Sequence, residues 1–137
     1  KVIPDCTLDS VNAGDFDMVV LPGGMPGTLN LASDKRVTSL VADMYKAGKY
    51  TAAICAAPFV LSEAGVLNGK TATSHPSYQD KIKAAMVSKA DSVVIDGKVV
   101  TSQGAGTAIE FALKLVELFC GKERAQSIQT AMVCNMV

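Results

Sequence analysis

An excess of charge is the first thing this sequence lacks. Its 13 basic and 13 acidic residues cancel over 137 positions. Such a chain has no dominant field with which to hold nucleic acid or an anionic membrane surface, so neither is expected as a partner. No apolar run approaches the ~18 residues that a membrane-spanning helix needs, and no charged stretch leads into an apolar one in the manner of a signal peptide. Internal repeats and low-complexity tracts are missing as well. Histidine is nearly absent: His75 is the only one, too few imidazoles for a zinc cage, and no metal site is expected. The four cysteines, Cys6, Cys55, Cys120 and Cys134, form no C-x-x-C pair of the metal or redox kind. This is not a small loop-rich secreted chain, so reduced thiols in a cytoplasmic setting are expected.

What is present is apolar material, 49% of the residues, enough to supply the core of one domain over residues 1–137. Strand-like and helix-like segments alternate, the pattern of a layered α/β fold with a mostly parallel sheet and helices on both faces. "DMVVL" (17–21) is a short apolar run suited to a strand buried on both sides. After "LPGGMPG" breaks it, Ser33 or Asp34 can cap a helix that places Val37, Leu40, Val41 and Met44 on one face and ends at Gly48. "YTAAI" predicts the next strand, "AAPFVLSEAG" the next helix, and "KTATSH" a further strand. Helix follows from Pro76, a residue suited to a first turn. "SVVID" and "KVVTS" flank Asp96-Gly97, a hairpin signal. Ile109, Ala112, Leu113, Val116 and Phe119 form a helical stripe, and a last helix is expected from Lys122 to about Cys134.

In sheets of this kind ligands sit at the carboxyl ends of the strands. Three loops are therefore of interest: Pro22 to Gly27, Cys55 onward, and His75 onward. Cys55 falls where a strand turns into a helix among the small residues Ala53, Ala56 and Ala57. That is the geometry of a nucleophile elbow without its usual glycines. A thiol there would face unpaired N–H groups and the positive end of a helix, which favour thiolate. Position alone fits equally a small buried hydrophobe. Gly23-Gly24 could aim N–H groups at an oxyanion or form a plain tight turn. His75 could be acid or base beside the thiol or a half-buried ring satisfied by backbone. Cys120 and Cys134 are expected to pack, as are Met132 and Met136; Cys6 is expected to be exposed.

Four segments in order, "VVLPGGMPGTLNL", "AAICAAPFVL", "TSHPSYQDKI" and "VVTSQGAGTAIEFALKLVELFCGKERA", resemble the hallmark segments of the DJ-one/ThiJ/PfpI superfamily, in its DJ-one-like branch. The resemblance covers nearly the whole chain. It implies a flavodoxin-like three-layer α/β sandwich, usually a homodimer. It matches Cys55 to the elbow cysteine, His75 to the nearby histidine, and Gly24 and Ala56 to backbone oxyanion donors, with Gly23 supporting the loop. Two departures stand out. "GAG" at Gly104-Ala105-Gly106 replaces the more usual "GPG". The family's N-terminal glutamate, which hydrogen-bonds the cysteine, has no counterpart, and neither Glu63 nor Glu110 lies in a matching motif. The chain opens on Lys1, and on the resemblance its first strand and helix are missing; a further N-terminal segment is expected to complete the sheet.

The activities implied are glyoxalase or deglycase chemistry on a small aldehyde substrate, needing no metal or organic cofactor. The alternative is a cysteine-based oxidative-stress sensor or chaperone, with Cys55 oxidised toward sulfinate. Hydrolysis of the PfpI peptidase kind is a weaker third, since no acid is placed to complete a Cys-His triad.

Overall fold

Residues 2–134 are described by a computed structural model. At its centre is strand β2 (Tyr50–Ile54), with Thr51, Ala52 and Ala53 sealed from solvent. Side chains alternate across a strand, so Ala53 faces one apolar cluster and Ala52 another. Small residues let helices approach from both sides. β2 pairs in parallel with β1 (Met18–Leu21) and with β6 (Val99–Ser102), and β6 pairs antiparallel with β5 (Val93–Asp96). The sheet order is β1-β2-β6-β5, so the antiparallel hairpin lies at one end, as the sequence predicts. The hairpin register matches Asp96 to Val99, so its two loop residues are Gly97 and Lys98, one position later than predicted. Gly97 supplies the positive φ of 62° at the first loop position.

Helix α1 (Gly27–Ser33) was not predicted; it follows directly on the glycine-proline cluster. Helix α2 (Lys35–Lys46) begins where expected, with the Asp34 carboxylate accepting from the Arg36 N–H at 2.9 Å, and buries Val37, Val41 and Met44. With α3 (Pro58–Glu63), α2 covers the Ala53 side of the sheet. Helix α4 (Ala108–Cys120) covers the other side, only in part through the predicted stripe: Leu113 is buried and the Phe119 ring meets that of Tyr50 edge-on at 5.2 Å. The residues that reach the Ala52 and Val100 cluster are Phe111, Leu115 and Leu118, whereas Ile109 and Phe119 stay 48% and 49% exposed. Helix α5 (Lys122–Ala131) packs on α4 and ends before Cys134. Cys120, expected to pack, is exposed; Cys6 is exposed as expected, and Cys134 is half-buried. Met132 is 49% exposed, which corrects the packing expected of it, and Met136 lies outside the described residues.

"KTATSH" pairs over only two residues. Strand β3 (Thr71–Ala72) joins β4 (Met86–Val87), unpredicted, in a separate parallel pair. Side chains of the hairpin take the N–H groups that a backbone ladder would have used. Thr71 N donates to Asp96 Oδ2 at 2.8 Å, and Thr73 N to Thr101 Oγ1 at 2.9 Å. The segment after Pro76 is a 3-10 turn (Pro76–Lys81), not an α-helix, held by Tyr78 N donating to His75 O at 2.7 Å.

The Asp96 bond makes a prediction about acid stability. The Thr71 N–H, and then Lys70 at 3.3 Å, hold the Asp96 carboxyl below its ordinary value of 3.8. A carboxylate with a depressed folded pKa contributes stability that is fully present above pH 3.8 and is lost as pH falls through the folded value. Asp96→Asn should therefore melt below the unmodified protein at pH 7, with the gap closing as the pH is taken below 3.8. A gap that stays constant across that range in thermal melts would show that this carboxylate is not the linkage.

Candidate active site

The last residue pair of β2 and β6 is Ile54 with Ser102, and the chain turns immediately after it. Cys55 takes up φ 65°, left-handed for a residue with a side chain. Such a conformation costs roughly 1–3 kcal/mol and persists only where its surroundings over-determine it. Here they do. Cys55 N donates to Ser102 O at 3.0 Å, Cys55 O accepts from His75 N at 2.8 Å, and Ala57 N closes a turn onto Ile54 O at 3.1 Å. The thiol is half-buried and unpaired. The turn occupies 55–57, so α3 starts at Pro58, two residues later than the sequence suggested, and has only six residues.

Gly23 supports the elbow by having no side chain. A Cβ there would lie 2.5 Å from Cys55 Cβ, 2.9 Å from Ile54 O and 3.3 Å from Cys55 Sγ. Gly24 follows with φ 95°, and its carbonyl accepts from Thr28 N at 2.9 Å. Among the described residues, the N–H groups of Gly24 and Ala56 donate to no protein acceptor. The loop is tied to the 3-10 turn by Tyr78 Oη, 3.4 Å from Met25 Sδ.

His75 is exposed. Its Nδ1 accepts from Ser77 N at 3.2 Å and lies 2.8 Å from Ser77 Oγ, which leaves Nε2 as the nitrogen free to face a ligand. The ring flanks a fourth loop, the one that follows β6: a methyl on Gly104 would sit 3.6 Å from His75 Cδ2. Thr107 Oγ1 holds that loop, accepting from Gly104 N at 3.1 Å and lying 2.7 Å from Ser102 Oγ.

Gly23, Gly24, Ile54, Cys55, Ala105 and Ala108 line one open cavity of about 330 Å³. Three of the five sequence-derived residues, Gly23, Gly24 and Cys55, thus share a cavity. Ala56 adjoins it as the next residue, nearly sealed. His75 is held to Cys55 through its backbone, with its ring outside the lining. Among the described residues, no carboxylate lines the cavity. Glu63 pairs with Lys83 at 3.8 Å, and Glu110 faces the groove between α4 and α5. Among the described residues, no cluster of metal-binding side chains occurs, and no helix is long and apolar enough to cross a membrane.

A sequence profile described as the DJ-1/PfpI family matches residues 1–118. A crystal structure of Drosophila melanogaster DJ-1beta superimposes with a TM-score of 0.92 at 40% identity, covering 98% of this chain and 73% of that one. A relative from Caenorhabditis elegans, named glutathione-independent glyoxalase DJR-1.2, is 38% identical over 129 residues, 93% of this chain and 68% of its own length. Against the DJ-1 homolog A of Arabidopsis thaliana, identity is 38% over 135 residues, and the chain spans 34% of that protein.

Proposed function

The chain belongs to the DJ-1/PfpI family, and from that premise we propose that it is a cofactor-independent glyoxalase acting through Cys55. The observation that carries this is the strained, half-buried Cys55 lining a cavity with Gly24, whose N–H, like that of Ala56 next to the cysteine, has no protein acceptor among the described residues. Cys55 thiolate forms a C–S bond to the aldehyde carbon of a small α-oxoaldehyde. The carbonyl π pair moves onto oxygen, and the Gly24 and Ala56 N–H groups receive that oxyanion. Protonation gives a hemithioacetal. His75 then takes the proton from the first carbon and returns it to the second, through an enediol. The first carbon is thereby oxidised and the second reduced, with no outside redox partner. Water attacks the resulting thioester, the C–S bond breaks, and the sulfur leaves as thiolate. Methylglyoxal plus water becomes lactate. The same addition extends to early glycation adducts. The test is lactate formation from methylglyoxal without added thiol or metal; none formed would end this reading.

The same N–H groups favour a second reading, a peroxide sensor. Two equivalents of peroxide would carry Cys55 thiolate to sulfinate, with two waters released, and the donors would hold the new oxygens. Selective gain of two oxygens at Cys55, without aldehyde turnover, would replace the enzyme reading with this one. Free thiols at all four cysteines suit a reducing cytoplasm.

Among the described residues, no strand pairs with the outer edge of β1. Val20 on it is 46% exposed, and an apolar groove of about 240 Å³ runs beside it from Phe16 to Met44. Unpaired edges of this kind recruit strands, so we assign this edge to a further segment of the same protein, in a homodimer. Native mass spectrometry should find two copies with added polypeptide. A monomer of these 137 residues alone would refute both assignments.

A further inference from the structure

The loop that carries the Gly24 N–H is stopped on one side and tethered on the other. Gly23 already touches the elbow so closely that a Cβ on it would lie 2.5 Å from Cys55 Cβ, so the loop cannot move inward. Its backbone bonds are local: Gly24 O accepts from Thr28 N at 2.9 Å, and Pro26 O from Asn30 N at 3.1 Å. These bonds run along the chain and do not span the crevice. The bond that does is made by Tyr78 Oη, which donates to Met25 Sδ at 3.4 Å across 53 residues of sequence. Tyr78 is itself firmly set. Its ring is buried, meets Phe59 of α3 edge-on at 5.9 Å and lies beneath Lys81 Nζ at 4.3 Å. Its N–H donates to His75 O at 2.7 Å. One residue therefore touches the oxyanion loop, the helix that follows Cys55 and the turn that carries His75.

We propose that Tyr78 is a positioning residue for the oxyanion site: its hydroxyl, acting through Met25, holds the Gly24 N–H at its working distance from Cys55. The proposal rests on the glyoxalase reading and deepens it. Packing at Gly23 sets the nearest approach of the loop, and the Tyr78 bond limits its retreat. An oxyanion donor is effective only within about 2.7–3.1 Å of the developing charge, so a slackened loop loses transition-state stabilisation before it loses its fold. Met25 is the residue after Gly24, so the pull is delivered directly beside the donor.

The experiment compares the full-length protein with its Tyr78→Phe, Met25→Leu and double variants. Tyr78→Phe removes the hydroxyl and keeps the ring on Phe59; Met25→Leu removes the acceptor at nearly constant volume. Each single variant should lower kcat for methylglyoxal by about tenfold with KM unchanged, short of the ~10²–10³ that outright loss of a donor costs. The double variant should be no slower than either single one, since both break the same bond. A second measurement does not depend on turnover: hydrogen exchange at the Thr28 amide, the donor to Gly24 O, should quicken by about three- to tenfold in all three variants, the scale of one neutral hydrogen bond. An unchanged kcat in either single variant, additive losses in the double variant, or unchanged exchange at Thr28 would overturn the proposal. Quickened exchange in the variants, with no turnover even in the unmodified protein, would overturn the glyoxalase reading and leave the tether standing.

Discussion

Replacing Cys55 by alanine is expected to abolish lactate formation from methylglyoxal, by a factor on the order of 10⁴ or more, the scale on which removal of a covalent nucleophile is felt. The fold should survive. What holds the elbow is the backbone of residue 55, through Ser102 O and His75 N, and both bonds remain when the sulfur is removed. Glycine at the same position sharpens the prediction. A left-handed conformation costs a side-chain-bearing residue roughly 1–2 kcal/mol, whereas glycine adopts it freely and gives back about 0.4–1 kcal/mol through the entropy of the unfolded chain. Cys55→Gly should thus be inactive and slightly more stable, by ~0.5–1 kcal/mol, or about 2–4 °C in Tm for a domain of this size. The pair of variants separates chemistry from architecture. Undiminished turnover in Cys55→Ala would remove the mechanism, and a lowered Tm in Cys55→Gly would show that no strain is held at φ 65°.

That strain explains what the sequence could and could not convey. Strand β1 is an unbroken apolar run ended by Pro22-Gly23-Gly24, and β2 is a short run of small and apolar residues after Gly48, so local pattern suffices to place them. Cys55, Gly23 and His75 follow predicted strands, so the rule about strand ends finds them. The extent of β3 was hidden because side chains distant in sequence, Asp96 and Thr101, intercept its N–H groups. The face of α4 was assigned only in part, for a different reason. That helix is apolar around most of its circumference, so its own periodicity does not choose between Leu113 with Phe119 and Phe111 with Leu118; the Ala52 and Val100 surface chooses. Ala108 carries no signal because alanine has no chemical signature, and Ala105 stands out in the sequence only as a departure in the Gly104–Gly106 turn, not as a cavity wall. The sequence marks β6 only as the return of a hairpin. It runs parallel to β2, so its carboxyl end opens on the same crevice as Cys55.

The second large effect is expected at Gly23, where the constraint is a close approach and not an unusual dihedral. The Cβ of an alanine would fall 2.5 Å from Cys55 Cβ and 2.9 Å from Ile54 O. Neither atom is the far end of a flexible side chain. One belongs to a residue pinned at both backbone groups, and the other is a carbonyl already accepting from Ala57 N. Relief must come from the Pro22–Gly27 loop, which would move away from the elbow and take the Gly24 N–H with it. Overpacking of this kind costs about 1–3 kcal/mol, so Gly23→Ala should fold with a reduced Tm. The functional loss should be larger than the stability loss suggests, because removing one oxyanion donor costs ~10²–10³ in kcat, while the thiol and imidazole stay in place. The expected signature is a fall in kcat with KM little changed and with Cys55 still open to alkylation. If kcat holds while the Tm falls, the Gly24 N–H is not a donor to the oxyanion, and stabilisation of that charge must be sought at Ala56 alone.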